Sequence, residues 1–216
     1  MRSATQSKGV IRLYYGFQLF FGLLLWLPIF YDYQRKIGLG DAEIFGIQSL
    51  YYLVFCLFEI PTGYLADRIG YRWCMKVGAV VLTAANLLPI AFPGYSGFLW
   101  HFLGIALARS LISGASSAYL YEYLRQRGEA ELFKTVEGKA RAYGLIAKVA
   151  GWAGVGFLMQ WHLSMPYWLT AAASDKMVRF IDLCDTFHLP VVNFVDQPGF
   201  VIGVEAAAKA IHIARR

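Results

Sequence analysis

Five long apolar runs fill most of the first 173 residues and constrain the fold of this chain more than any other feature. Each approaches the roughly 20 apolar residues that one helix needs to cross a hydrocarbon core. One or two such runs could be buried helices of a soluble protein, but five favour membrane-spanning helices. The runs are Leu13–Tyr31, Ile44–Ala66, Trp73–Phe92, Phe98–Tyr121 and Tyr143–Gln160.

A sixth apolar run begins at Met165 but meets Ser174, Asp175 and Lys176 after nine residues. Nine helical residues rise only about 13 Å, less than half of a hydrocarbon core of about 30 Å. The sequence therefore predicts an all-α membrane domain over residues 1–173, with five transmembrane helices and a truncated sixth. Residues 174–216 form a separate, more polar segment.

Basic residues predict how these helices are oriented. The first, third and fifth connections between runs hold only Arg35 and Lys36, whereas the N-terminal lead and the even connections are rich in Lys and Arg. The positive-inside rule then places the N-terminus in the cytoplasm. We expect a multi-pass protein of the inner (plasma) membrane, with the lipid bilayer as its partner. The net charge of +6 is explained by topology, so no nucleic-acid partner is expected.

Aromatic residues stand at the ends of the runs, where an interfacial belt is expected. The fourth connection, Glu122–Ala142, is long and polar with a few apolar positions. It predicts either a short amphipathic helix on the cytoplasmic surface or a solvated linker. The residues assigned to the aromatic belt are Trp26, Tyr31, Trp73, Trp100, Trp161, Tyr167 and Trp168.

The connection after the second run carries a motif. Residues 59–72 read Glu-Ile-Pro-Thr-Gly-Tyr-Leu-Ala-Asp-Arg-Ile-Gly-Tyr-Arg. This resembles the signature Gly-x-Leu-Ala-Asp-Arg-x-Gly-Arg-Arg/Lys of the major facilitator superfamily, with Tyr71 in place of the usual basic residue. A plain charged turn is the alternative. The matching positions are Gly63, Leu65, Ala66, Asp67, Arg68, Gly70 and Arg72.

The resemblance implies one six-helix half of a secondary carrier for an unknown small, drug-like solute. Gly63 is expected to let helices approach closely. Asp67 is expected to pair with Arg68 or Arg72 in a latch that breaks when the carrier halves rock. Gly70 is assigned to gating together with these four residues. A complementary six-helix half is the expected partner, and the chain alone is expected to be inactive in transport.

Three ionisable residues within the runs are candidates to face a solute cavity. Arg109 is an arginine at membrane depth, which is costly and therefore a functional candidate. Its alternative is a side chain that extends to the interface. Glu59 and Lys148 could relay protons or bind solute, or could lie near the cytoplasmic interface.

Residues 174–216 have a different pattern. Ser174 is a plausible N-cap of a helix that continues to His188, followed by a Val-rich strand over 190–195, a turn over 196–200 and a helix from Ala206. The segment resembles the carboxyltransferase subunit of biotin-dependent acyl-CoA carboxylases, which implies a short β/α fragment of a crotonase-like fold.

Pro198, Gly199 and Phe200 match a loop that lies near the active site in that family. About 40 residues cannot bury enough apolar surface to fold alone. We therefore expect a chain that is not an enzyme, with no catalytic residue, cofactor or metal site. The alternatives are a remnant of a carboxyltransferase, or a chimeric gene product with neither activity.

Overall fold

The structure is a computed structural model that describes the backbone of residues 2–186 and the side chains of residues 8–179, 181 and 182. Within these residues all regular structure is helical, which confirms the all-helical prediction there. Short 3₁₀ turns lie at Leu27–Ile29 and Ala130–Leu132. The α-helices are α1 (Arg2–Gly22), α2 (Phe30–Ile37), α3 (Asp41–Ile69), α4 (Tyr71–Ala91), α5 (Tyr95–Gln126), α6 (Phe133–Trp161) and α7 (Met165–Thr186).

Five helical segments are long and apolar enough to cross a membrane, which is compatible with a membrane location. Each of them corresponds to one apolar run of the sequence. The predicted strand over 190–195, the turn with Pro198, Gly199 and Phe200, and the helix from Ala206 lie outside the described residues. The five segments are Lys8–Ile37, Asp41–Ile69, Tyr71–Ala91, Tyr95–Gln126 and Ala130–Trp161.

Helix α5 is at the centre of the bundle. It packs against α3 and α4, while α7 packs against α4 and α1, and α1 packs against α6. Phe98, Phe102, Ile105 and Ile112 of α5 are fully buried. By contrast, α3 and α6 leave most of their apolar side chains exposed, as expected of surfaces that face lipid.

The first apolar run is broken, although the sequence predicted one continuous span. Helix α1 ends at Gly22, and the backbone groups freed by the break are bound by side chains of other helices. The Leu25 N–H donates to Thr170 Oγ1 at 3.1 Å, and Trp152 Nε1 donates to the Leu24 carbonyl at 3.1 Å. Such breaks are tolerated in apolar surroundings when neighbouring helices satisfy the backbone.

Helix α7 continues without a break past residue 173. Ser174 is buried in the middle of α7, where its hydroxyl donates to the Thr170 carbonyl at 2.9 Å, so the predicted N-cap is wrong. Arg179 Nη2 lies 3.1 Å from Asp175 Oδ2, and this ion pair stabilises the polar C-terminal turns of α7. Lys76 Nζ of α4 lies 2.6 Å from Asp182 Oδ1 of α7. Helix α7 therefore still contacts α4 beyond the apolar first part of α7.

The fourth connection is much shorter than predicted. Helix α5 extends to Gln126, and α6 already begins at Phe133, after a turn in which Gly128 has a φ of 71°. Most of residues 122–142 therefore form the end of α5 and the start of α6. They form neither a separate surface helix nor a solvated linker.

Candidate functional site

The motif segment forms the end of α3 and the start of α4. The helices are joined at Gly70, whose φ of 96° favours glycine. Asp67 Oδ1 accepts a hydrogen bond from the Tyr71 hydroxyl at 3.0 Å. The Arg68 guanidinium lies 5.1 Å from the centre of the Tyr64 ring. Tyr71, the residue that departs from the signature, is thus the one that holds Asp67.

Two expectations for the motif differ from the structure. Among the described residues, the Asp67 carboxylate forms no ion pair with Arg68 or Arg72. A Cβ added to Gly63 would meet no atom of the described residues within 4 Å, so no close approach between the described helices depends on this glycine. The reason is that Gly63 lies on a stretch of α3 that is largely exposed.

Arg72 lines a pocket between α1, α4, α5 and α7. The pocket has a volume of about 350 Å³, including space open to solvent. Arg72 is the only charged residue among the described residues that line it. The motif therefore separates into an exposed Asp67–Tyr71 contact and an arginine beside an apolar pocket. The lining residues are Val10, Leu13, Tyr14, Phe17, Arg72, Met75, Tyr119 and Ile181.

The three cavity candidates lie on three different helices. Arg109 of α5 is half-buried, and its Nη1 donates to the Tyr51 hydroxyl of α3 at 3.1 Å. Lys148 Nζ lies 5.9 Å from the ring centre of Trp152 on its own helix, α6. The Glu59 side chain is exposed on α3. Within residues 8–182, none of the three is hydrogen-bonded or ion-paired to another.

A buried carboxylate that the sequence analysis missed joins three helices. Glu137 of α6 is only 9% exposed. Its Oε2 accepts from the Tyr14 hydroxyl of α1 at 2.7 Å, and its Oε1 accepts from Ser117 Oγ of α5 at 3.0 Å and from Arg141 Nε at 3.0 Å. Gln18 Nε2 extends the network by donating to the Tyr14 hydroxyl at 3.0 Å. We call these side chains the Glu137 network.

The Glu137 network satisfies a charge that would otherwise be costly to bury. It links α1, α5 and α6 near one border of the pocket, because Tyr14 belongs to both. The sequence signal was the four-residue spacing of Glu137 and Arg141, which places them on one helix face. That signal was overlooked because the segment was assigned to a connection.

The described residues contain no group of three or more His, Cys, Asp or Glu side chains that could hold a metal ion.

Comparison with known proteins gives a match at the C-terminal side of the chain. Residues 146–214, 69 of the 216, match the carboxyl transferase domain family. The match begins inside α6, well before Ser174, and it includes all of α7. Because it covers about a third of the chain, it shows a partial likeness to this family. It supports the resemblance seen over residues 172–205, whereas no comparison tests the facilitator resemblance.

Three curated relatives share short stretches with this chain. Methylmalonyl-CoA decarboxylase subunit alpha of Veillonella parvula is 64% identical over 31 residues, 14% of this chain and 6% of that protein. The methylmalonyl-CoA carboxyltransferase 12S subunit of Propionibacterium freudenreichii subsp. shermanii is 52% identical over 33 residues, 15% and 6% respectively. The propionyl-CoA carboxylase beta chain of Saccharopolyspora erythraea is 39% identical over 51 residues, 24% and 9%. The chain thus spans less than a tenth of each relative.

These matches correct one expectation. The chain was predicted not to be an enzyme, because a segment of about 40 residues is too short to fold alone. That prediction is contradicted, since the matching family and relatives are named for carboxyl transfer, carboxylation and decarboxylation, all enzymatic activities. The prediction treated residues 174–216 as an isolated segment, whereas residues 174–186 belong to α7.

The Asp67–Tyr71 contact leads to a prediction about the motif. Tyr71→Phe removes one partly exposed hydrogen bond, so we expect a loss of at most about 1 kcal/mol in the free energy of unfolding. Tyr71→Arg restores the basic residue of the signature and should form an ion pair with Asp67, whose contribution falls as salt is raised. Thermal unfolding in detergent at low and high salt measures both effects.

Tyr52→Phe is the control, because Tyr52 is exposed on α3, the helix that carries Asp67, and its hydroxyl has no hydrogen bond within the described part of the chain. A Tyr71→Phe variant that unfolds like Tyr52→Phe would contradict the Asp67 contact.

Proposed function

We propose that residues 1–173 form the membrane domain of a secondary carrier of the major facilitator type that moves a small, drug-like solute. The observation that carries this proposal is the position of the signature. It falls at the tight turn between the second and third of five helices that are long enough to cross a membrane. Such a turn is where a carrier with rocking halves needs a contact that can open and close.

Exposed aromatic side chains support a membrane location for this domain. Trp73, Trp100, Trp161 and Trp168 are all exposed, and each lies within the first or last two turns of its helix. Large amphipathic rings at helix ends are typical of the boundary between lipid and water. Two other members of the predicted belt, Trp26 and Tyr167, are buried instead, so the belt is smaller than expected.

We propose that transport needs a second six-helix half, in the same polypeptide or in another chain, because facilitator-type carriers hold solute between two halves. The two least buried helices, α3 and α6, carry Glu59 and Lys148. In this proposal these side chains and Arg109 border the solute path. Asp67 and its neighbours in the motif gate it from the cytoplasmic side.

Reporter fusions test the membrane location and its orientation. Alkaline phosphatase, which is active outside the cytoplasm, is fused after Gly40, Gly94 or Gly128, and green fluorescent protein, which fluoresces inside, is fused at the same positions. We expect phosphatase activity after Gly40 and Gly94, and fluorescence after Gly128. Phosphatase activity after Gly128, or fusions that are recovered in the soluble fraction, would contradict the proposed topology.

Reconstitution tests the carrier class separately. The purified chain is placed in liposomes, alone or with a six-helix C-terminal half of a facilitator-type carrier, and ethidium uptake is followed. We expect uptake only with both halves, and expect Asp67→Asn to reduce it. Uptake by this chain alone would overturn the need for a second half, and no uptake in either case would contradict the carrier proposal.

The family match favours a second function for the C-terminal segment. We propose that residues 174–214 supply part of a carboxyltransferase domain, in which Pro198, Gly199 and Phe200 border an acyl-CoA. The test is release of propionyl-CoA from methylmalonyl-CoA when the full chain is incubated with biotin. Turnover that Gly199→Val abolishes would support this role, and no turnover by the full chain would contradict it.

A further inference from the structure

Two of the aromatic residues predicted for the membrane interface lie instead in the core beside His101. Trp26 is 2% exposed, and Tyr167 and His101 are 0% exposed. The Trp26 ring centre is 4.9 Å from that of His101 and 6.0 Å from that of Tyr167, and the His101 and Tyr167 ring centres are 5.4 Å apart. We call these three residues the Trp26 cluster.

Each member of the Trp26 cluster has a polar atom without a hydrogen-bond partner in the part of the chain that the structure describes. These atoms are Trp26 Nε1, His101 Nε2 and the Tyr167 hydroxyl. His101 Nδ1 lies 2.7 Å from the Ala85 carbonyl, which only accepts, so Nδ1 carries the proton and Nε2 is an acceptor. The cluster thus offers one N–H donor, one nitrogen acceptor and one hydroxyl that can do either.

The cluster adjoins the break in the first apolar run. Trp26 follows Leu25, whose N–H is bound by Thr170 Oγ1, and Tyr167 lies one turn before Thr170 on α7. Broken helices in apolar surroundings are completed by neighbouring side chains and by ordered water. Gln34, on the short helix α2, adds a fully buried side-chain amide whose two polar atoms also lack partners within the described residues.

We propose that the Trp26 cluster is a binding site for buried water. Because the three ring centres lie within 6.0 Å of one another, bound water can accept from Trp26 Nε1, donate to His101 Nε2 and bind the Tyr167 hydroxyl. These are the three hydrogen bonds that a buried water typically makes. The three side chains are neutral in this arrangement, and an ion placed among them would lack a counter-charge. A chain with about 185 described residues is expected to hold about seven buried waters, at one per roughly 27 residues. This site is independent of the carrier proposal.

The sign of a stability change tests the proposal. If water bridges the cluster, Tyr167→Phe removes a satisfied hydroxyl, and we expect the unfolding midpoint of the full chain in detergent to fall by about 2–4 °C. If the cluster is dry, the same change removes an unsatisfied buried hydroxyl, and the midpoint stays the same or rises. That second result would overturn the proposal.

Tyr33→Phe is the matched control for a hydroxyl with a direct partner. Tyr33 is also buried, its ring centre is 4.9 Å from that of Tyr167, and its hydroxyl lies 3.1 Å from Ser164 Oγ. The unfolding midpoint of Tyr33→Phe should fall. That fall would show that the assay detects the loss of one buried hydrogen bond.

Nuclear magnetic resonance gives a second readout that needs no change at Tyr167. The indole proton of Trp26, assigned by its loss in Trp26→Phe, should show a nuclear Overhauser effect to water in the full chain. The indole proton of Trp152 is the control, because it donates to the Leu24 carbonyl and should show none. The absence of the effect at Trp26 would overturn the proposal even if Tyr167→Phe failed to fold.

Discussion

Gly22→Ala adds one methyl group to α1, and we expect it to give the largest loss of stability among the substitutions proposed for α1 and α6. A Cβ at Gly22 would collide with the backbone of Gly144, where α1 and α6 touch. Backbone atoms cannot rotate away as a flexible side chain can, so the helices must separate. Overpacking of this kind costs about 3 kcal/mol, which corresponds to a fall of about 6–12 °C in the unfolding midpoint.

Gly154→Ala on α6 is the matched control, because a Cβ there would meet no atom within 4 Å. Alanine is a better helix former than glycine by about 1 kcal/mol, so we expect this variant to be as stable as the parent or slightly more stable. Circular dichroism of both variants during heating in one detergent measures the difference. Equal midpoints for Gly22→Ala and Gly154→Ala would show that α1 and α6 are not in the contact described.

Glu137→Ala is expected to have the second largest effect, a loss of about 2 kcal/mol in the free energy of unfolding. The substitution leaves the buried Tyr14 hydroxyl and Ser117 without their acceptor. Arg141 is largely exposed and can turn to water, so its share of the cost is small. Glu137→Gln keeps one acceptor oxygen for Tyr14 and should fall between the parent and Glu137→Ala.

Glu131→Ala provides the comparison for Glu137→Ala, because Glu131 is exposed in the 3₁₀ turn just before α6. Removing an exposed carboxylate should change stability by no more than about 0.5 kcal/mol. If Glu131→Ala and Glu137→Ala unfold at the same midpoint, the Glu137 network does not hold the helices together. Thermal unfolding in detergent measures all three variants under one condition.

The number and order of the apolar helices could be predicted from the sequence because both depend on local composition. A run such as Trp73–Phe92 is apolar over about the length of a spanning helix, and the structure has one helix there. The turn at Gly70 was also predictable, since glycine between two apolar runs commonly marks a helix end. These features require no knowledge of which helices touch.

The features that could not be predicted depend on contacts between distant residues. The break after Gly22 is completed by Trp152 and Thr170, which lie 128 and 145 positions away from their partners. Glu137 becomes buried only when Tyr14 packs against it. An aromatic residue at the end of an apolar run gives the same sequence pattern whether its side chain is exposed, as that of Trp168 is, or buried in the core, as that of Trp26 is.

The course of α7 has a mechanical consequence for the bundle. A helix of 22 residues is about 33 Å long, and its final turns are pinned to α4 by the bond between Lys76 and Asp182. The described end of α7 therefore turns and shifts with the bundle. Any displacement of α4 would then move α7 with it as one rigid helix.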